Sequence, residues 1–172
     1  MTLVVLIGAS GSGKTSIARA IADSHAEQAS VQHFGSICVP EPEEMPPDWQ
    51  RENTIEWMIR LAPLVGHGMP ILFEGQTRLS FLAESAARAG VIAYLPILVD
   101  CDDTTRTRRL VFERRQSELA NPMMMNWARF LREDAAKQGC EILDTSALPL
   151  VRCVELVRRR LGLSRARDDG GQ

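Results

Sequence analysis

The chain has 172 residues, 45% apolar and 24% charged, with a formal net charge of −2 and a pI near 5.9. That length is one domain, able to bury roughly 70% of the surface its unfolded form exposes, so it needs no disulfide or metal staple. The near-neutral charge argues against a general binder of nucleic acid or anionic membrane, which carries a basic surplus, but leaves room for a local basic pocket.

Leu3-Val4-Val5-Leu6-Ile7 is a continuous aliphatic and β-branched run, the pattern of a strand buried on both faces of a parallel sheet. It lacks a basic lead-in and is too short for a signal peptide. A Gly/Ser loop follows, and Ser16 to Ala26 has helical spacing in Ile17, Ala18, Ile21 and Ala22. Val31–Phe34 is a short second strand. Val39 to Asp48 is rich in Pro and Glu and reads as a loop. A helix starting at Asp48 or Asn53 has Ile55, Met58, Ile59, Ala62 and Val65 as its apolar face, with Pro63 expected to kink or shorten it.

Pro70 to Glu74 is a third strand ending on a carboxylate. Thr77 to Ala89 is helical and closes at Gly90. Val91–Asp100 is a fourth strand, expected to be entered after Pro96. Val91–Val99 is also the longest apolar run, too short to span a bilayer. Asp102 or Asp103 caps a helix carrying Arg106, Arg109, Arg114 and Arg115. Met124 to Ala135 marks a helix ending at Gly139, Cys140–Leu143 a fifth strand and Leu148–Leu161 a last helix. Residues 164–172 read as a frayed tail. Strands alternating with helices imply an α/β fold, a parallel sheet covered on both faces, with ligands at the C-terminal ends of its strands.

Cys38, Cys101, Cys140 and Cys153 are widely spaced, with no C-x-x-C pair. Free thiols in a reducing, cytoplasmic setting are expected rather than a zinc site. His25, His33 and His67 are scattered and no metal is assigned to them. Eighteen arginines accompany only two lysines, Lys14 and Lys137, so the place where Lys14 falls is informative.

It falls in Gly8-Ala9-Ser10-Gly11-Ser12-Gly13-Lys14-Thr15, which satisfies G-x-x-x-x-G-K-[ST]. Glycines let the backbone turn tightly and expose successive N–H groups to phosphate oxygens. The helix that follows, through Ser16, points its positive end at the same anion. Lys14 can reach the β- and γ-phosphates, and the Thr15 hydroxyl can ligate Mg²⁺. The motif follows a buried-strand pattern and opens an amphipathic helix, the context it requires. No N-K-x-D occurs, which excludes a GTPase switch, and no L-S-G-G-Q, which excludes a transporter-type ATPase. A motor or AAA+ module would need a strand ending in Asp-Glu, whereas Leu72-Phe73-Glu74-Gly75 offers one carboxylate.

The P-loop, Leu72-Phe73-Glu74-Gly75-Gln76 at a strand end, the arginine-rich segment after Val99-Asp100, and Asp144-Thr145-Ser146 after the last strand together resemble the small P-loop kinases of the shikimate kinase, gluconate kinase, zeta-toxin and chloramphenicol phosphotransferase kind. The resemblance runs to about Leu161. It implies a three-layer α/β/α P-loop NTPase fold with a five-stranded parallel sheet of order 2-3-1-4-5. The kinase-like domain would span residues 1–161, with a short helical lid at about 106–125 and a flexible tail at 162–172. It further implies phosphoryl transfer from ATP, with Mg²⁺, to a small polar acceptor, in a monomer or homodimer without membrane.

Within that resemblance, Arg114 and Arg115 match the lid arginines that close over the transferring phosphoryl group, with Arg109 beside the nucleotide and Arg132 a weaker candidate. The alternative is a solvated face paired with Glu113 and Glu118. Glu74 can hold a Mg²⁺-bound water or accept the acceptor's proton, or simply belong to a turn. Gln76, Arg78 and Ser36 are candidates for binding the acceptor. Asp144, Thr145 and Ser146 would lie beside adenine, and Asp144 or Ser146 can also cap the last helix. In the related kinases the second strand commonly ends on an Asp. Here Val31-Gln32-His33-Phe34 runs into Gly35-Ser36-Ile37 with no carboxylate. That departure leaves open an ATP-binding regulator without efficient transfer. A nucleotide or polynucleotide kinase is also open, although Glu41, Glu43, Glu44 and Asp48 in one loop count against a nucleic-acid substrate.

Overall fold

The computed structural model describes residues 3–36 and 46–164. The expected loop therefore lies in part, and the tail almost wholly, outside the described residues. Five strands, β1 (Leu3–Ile7), β2 (Ser30–His33), β3 (Ile71–Gly75), β4 (Tyr94–Asp100) and β5 (Glu141–Asp144), form one sheet in the order β2-β3-β1-β4-β5. Every neighbouring pair is parallel. The helices are α1 (Lys14–His25), α2 (Trp49–Leu61), α3 (Leu79–Ala89), α4 (Asp103–Arg108), α5 (Pro122–Gln138) and α6 (Leu150–Leu161).

Successive strand residues point to opposite faces, and the buried strand β1 feeds both cores. Leu3, Val5 and Ile7 pack with Phe73, Leu98, Met58, Leu82 and Leu131 under α2, α3 and α5. Val4 and Leu6 pack with Leu72, Val99, Ile17, Ile21, Cys153 and Val157 under α1 and α6. Fully burying one such aliphatic side chain stabilises the fold by about 1.5–3 kcal/mol.

Several boundaries differ from the sequence reading. Pro63 shortens α2 rather than kinking it, as one of its two expected effects: the helix ends at Leu61 with Ala62 as its C-cap, so Val65 falls outside it. Pro96 lies inside β4 rather than before it, opposite Val5 of β1. The other neighbour, β5, begins only beside Ile97, so the proline's missing N–H falls where one flank has no partner strand. Gly90 and Gly139 do close α3 and α5, both left-handed with φ of 69° and 64°. Asp102 caps α4 by accepting from the Thr105 N–H at 2.6 Å. That helix stops at Arg108. A π-helical turn over Arg109–Glu113 follows, and Arg115 is left-handed at φ 53°. Arg114 and Arg115 therefore stand beyond the helix, not on its face. Neither Asp144 nor Ser146 caps α6, whose N-cap is Pro149. Asp144 Oδ1 instead accepts from the Ser146 N–H at 2.8 Å, closing the turn after β5.

Because all strands run the same way, their C-terminal ends share one edge. That edge gathers Ile7 leading into the P-loop, His33, Glu74, Asp100 and Asp144.

Candidate active site

The P-loop turns at Gly8, where φ is 150° and a Cβ would lie 2.2 Å from the Val99 carbonyl oxygen. Only glycine fits so close to β4. The loop ends at Gly13, left-handed at φ 99°, and α1 begins with no side-chain cap. The first-turn N–H groups of Lys14, Thr15 and Ser16 are thus left for a ligand, the arrangement that binds phosphate at a helix start.

Lys14 is buried over this loop, donating from Nζ to the Ala9 carbonyl at 3.0 Å and to Ser12 Oγ at 3.4 Å. Burial pushes its pKa down to about 8. The Glu74 carboxylate opposes the shift, while the Arg106 and Arg114 guanidinium groups add to it. The residue next to it, Thr15, donates from Oγ1 to Glu74 Oε1 at 3.3 Å. The same carboxylate oxygen lies 2.9 Å from His33 Nδ1. Glu74 is 8% exposed, and β2 and β3 pair His33 directly with Glu74 in register. The strand end without an Asp therefore supplies an imidazole held by the neighbouring strand's carboxylate. His33 was assigned no role from sequence; the signal was adjacency of two strand ends, visible only once β2 is known to pair with β3.

On the β4–β5 side of the P-loop lies a cavity of about 400 Å³. Gly11, Gly13, Lys14, Thr15 and Ser16 form its floor, Arg109 and Arg114 one wall, and Thr145, Leu148 and Cys153 another. Arg109 bridges two of these parts. Its Nη1 donates to Thr145 Oγ1 at 2.7 Å and to the Gly11 and Ser12 carbonyls at 3.3 Å, and Nη2 to the Thr145 carbonyl at 3.0 Å. Arg114 lines the cavity, whereas Arg115 is exposed and does not.

Arg106 is no surface residue. It is fully buried, donating to Asp100 Oδ1 at 2.7 Å and to the Ser10 carbonyl at 2.8 Å. Arg132 reaches the other oxygen of Asp100, at 2.5 Å. The sequence places Arg106 only among the arginines of one helix, and its burial against Asp100 is not legible there because a lone arginine reads as solvated.

The candidate acceptor residues are dispersed. Ser36 Oγ donates to the His33 carbonyl at 2.8 Å, closing the turn after β2. Gln76 accepts at its carbonyl from Gln50 Nε2 at 2.6 Å. Arg78 lies over the rings of Phe81, Trp127 and Phe130, its Cζ 4.5–5.4 Å from their centres, tying α3 to α5. The described thiols Cys101, Cys140 and Cys153 are free. No group of three or more metal-ligating side chains occurs among the described residues, and no described helix is long and apolar enough to cross a membrane.

Among solved structures the chain is similar to a sugar kinase from a Janibacter species, at 18% identity and a TM-score of 0.66, covering 95% of this chain and 96% of that one. It is similar to a gluconokinase from Sinorhizobium meliloti, at 16% identity and a TM-score of 0.64, covering 94% and 91%. It is also similar to shikimate kinase from Acinetobacter baumannii in complex with shikimate, at 12% identity and a TM-score of 0.63, covering 93% of each chain. The chain has the fold of the small P-loop kinases. No family model and no curated protein matches the sequence. The strand order of the P-loop kinase fold is the one the resemblance implied, and it extends over nearly the whole chain.

Proposed function

We propose that the protein is a phosphotransferase that moves the γ-phosphoryl group of ATP to a hydroxyl of a small polar acceptor. The observation that carries this reading is the line from the buried Lys14 through Thr15 to Glu74: an anion cradle with a hydroxyl and a carboxylate at its rim. The P-loop N–H groups and Lys14 hold the phosphates, and the cavity walled by Arg109, Thr145 and Leu148 takes the nucleoside. Arg114, with Arg115 on the same segment, closes toward the transferring group as part of a lid within residues 106–125. Such transfer depends on positioning and on neutralising charge more than on covalent chemistry.

Mg²⁺ fits the donor set. That ion keeps several waters and is held by phosphate oxygens with few protein oxygens, and Thr15 Oγ1 beside a carboxylate is such a set. Thr15 would hold it, and it would neutralise charge on the phosphates. The acceptor would bind on the β2–β3 side, near Glu74; Ser36, Gln76 and Arg78, each held in a local contact of its own, would act at the margins of that side, with Asp144 and Ser146 shaping the nucleoside side.

The test is a screen for acceptor-dependent ADP release across sugars, sugar acids, nucleosides and aminoglycosides, with Lys14→Ala as control. Release stimulated by one class, and lost in the variant, supports the reading. Tight ATP binding with no release by any acceptor, water included, would favour an ATP-binding regulator, the reading suggested by the missing Asp at the end of β2. Stimulation by nucleic acid ends instead would make it a polynucleotide kinase.

A further inference from the structure

We infer that His33, oriented by Glu74, is the group that takes the proton from the attacking hydroxyl. The inference rests on the phosphotransferase reading and divides the labour at that site: Glu74 is the positioning residue and His33 the catalytic one.

Glu74 Oε1 receives two donors, the Thr15 hydroxyl at 3.3 Å and His33 Nδ1 at 2.9 Å. An ionised carboxylate only accepts hydrogen bonds, so beside it the neutral form of the ring carries its one proton on Nδ1 and leaves the Nε2 lone pair free. Among the described residues Nε2 has no hydrogen-bond partner, and the His33 side chain is 37% exposed against 10% for Glu74. The buried group is thus held on both sides while the ring beside it presents a free base to solvent. Orientation of an imidazole by a buried carboxylate is the logic of other hydrolytic and transfer sites. The ring's position matches the reaction. Thr15 and Lys14 mark the phosphate end of the cradle, the nucleoside-sized cavity lies toward β4 and β5, and His33 lies across the P-loop from it.

In the step, the acceptor oxygen forms a bond to the γ-phosphorus while its proton passes to His33 Nε2. The bond from the γ-phosphorus to the bridging oxygen breaks, and its electron pair leaves with ADP. His33 becomes an imidazolium with Nδ1–H still on Glu74, and returns the proton to solvent through its exposed edge. With water as acceptor the products are ADP and inorganic phosphate.

The experiment compares His33→Asn and His33→Ala with the parent, using ATP with Mg²⁺ and water as the acceptor, then the best acceptor from the screen. Asn places an amide N–H near Nδ1 and so keeps the contact to Glu74, but it has no base. Loss of turnover by about 10²-fold or more in both variants, with unchanged affinity for a non-hydrolysable ATP analogue and partial recovery of His33→Ala by free imidazole, is expected. Parent-like turnover in His33→Asn would make His33 only a support for Glu74 and overturns the inference while leaving the kinase reading intact. Absence of any turnover in the parent overturns both. Nitrogen NMR of the parent gives an independent reading that needs no variant to fold. The inference requires the neutral ring to carry its proton on Nδ1, and a ring protonated on Nε2 overturns it.

Discussion

Arg106 and Asp100 form a buried ion pair at 2.7 Å, and the same guanidinium holds the Ser10 carbonyl of the P-loop. The base of α4, the end of β4 and the phosphate loop are thereby one unit. Removing Arg106 leaves the buried Asp100 with only the partly exposed Arg132 as a partner and the Ser10 carbonyl without its donor, a loss toward the figure of about 3–5 kcal/mol for breaking a buried pair. Arg106→Ala should therefore lower the thermal midpoint sharply. Arg132 binds the other oxygen of Asp100 but is 43% exposed, so Arg132→Ala should cost about 1 kcal/mol or less. Calorimetry of the two variants checks the ranking; equal losses would mean that the buried pair has no special weight.

Lys14 gives a pH signature. Its folded-state pKa of about 8 lies below the ordinary lysine value of 10.5, so between those values the unfolded chain holds more protons. Stability from this group therefore rises with pH across that window. Bound phosphates favour the charged amine and reverse the shift, so ATP binding above about pH 8 should take up a proton, and binding well below it should not. Calorimetric titration in buffers of different ionisation enthalpy measures this. Lys14→Ala should fold, lose tight nucleotide binding and show no uptake.

Glu74→Gln keeps the size of the side chain but removes the charge shared by Thr15 and His33. Turnover should fall by well over tenfold, about 1.4 kcal/mol of barrier or more, with nucleotide affinity little changed. Steady-state rates with binding measured separately would show the split. An equal fall in both would reduce Glu74 to a determinant of the loop's shape.

The segment beyond the π-helical turn should respond to nucleotide. Arg114 is exposed yet lines the cavity, so residues from about 114 to 125 should gain protection from hydrogen exchange when an ATP analogue binds. Arg114→Ala should abolish most of that gain, and Arg115→Ala, outside the cavity wall, much less. Equal protection with and without the analogue would leave both arginines as solvated charges.

Legibility in the sequence followed the range of each interaction. The P-loop, the cap at Asp102 and the stops at Gly90 and Gly139 are local, so their residues announce them. Pro96 misled because its tolerance depends on where a different strand, β5, begins. Arg106 misled because its partner Asp100 becomes available only through the turn at the end of β4 and the carbonyl of a loop far back in the chain. The pairing of His33 with Glu74 depends on sheet order, which periodicity alone does not specify. The departure from the kinase pattern at the end of β2 was legible as a missing Asp, but its replacement was not.

The scarcity of lysine acquires a practical meaning from the sheet's polarity. Lys137 sits in the last turn of α5, just before β5 starts, at the edge of the sheet remote from the P-loop. Lys14 is thus the one primary side-chain amine at the ligand-binding edge, and its lowered pKa leaves much of it neutral and nucleophilic in mildly alkaline solution. A small acylating reagent applied without nucleotide would find a single addressable side-chain amine there, so the protein could be tagged at its own P-loop without engineering, and occupancy by nucleotide, which returns the amine to its charged form, read out by mass spectrometry as protection of one peptide.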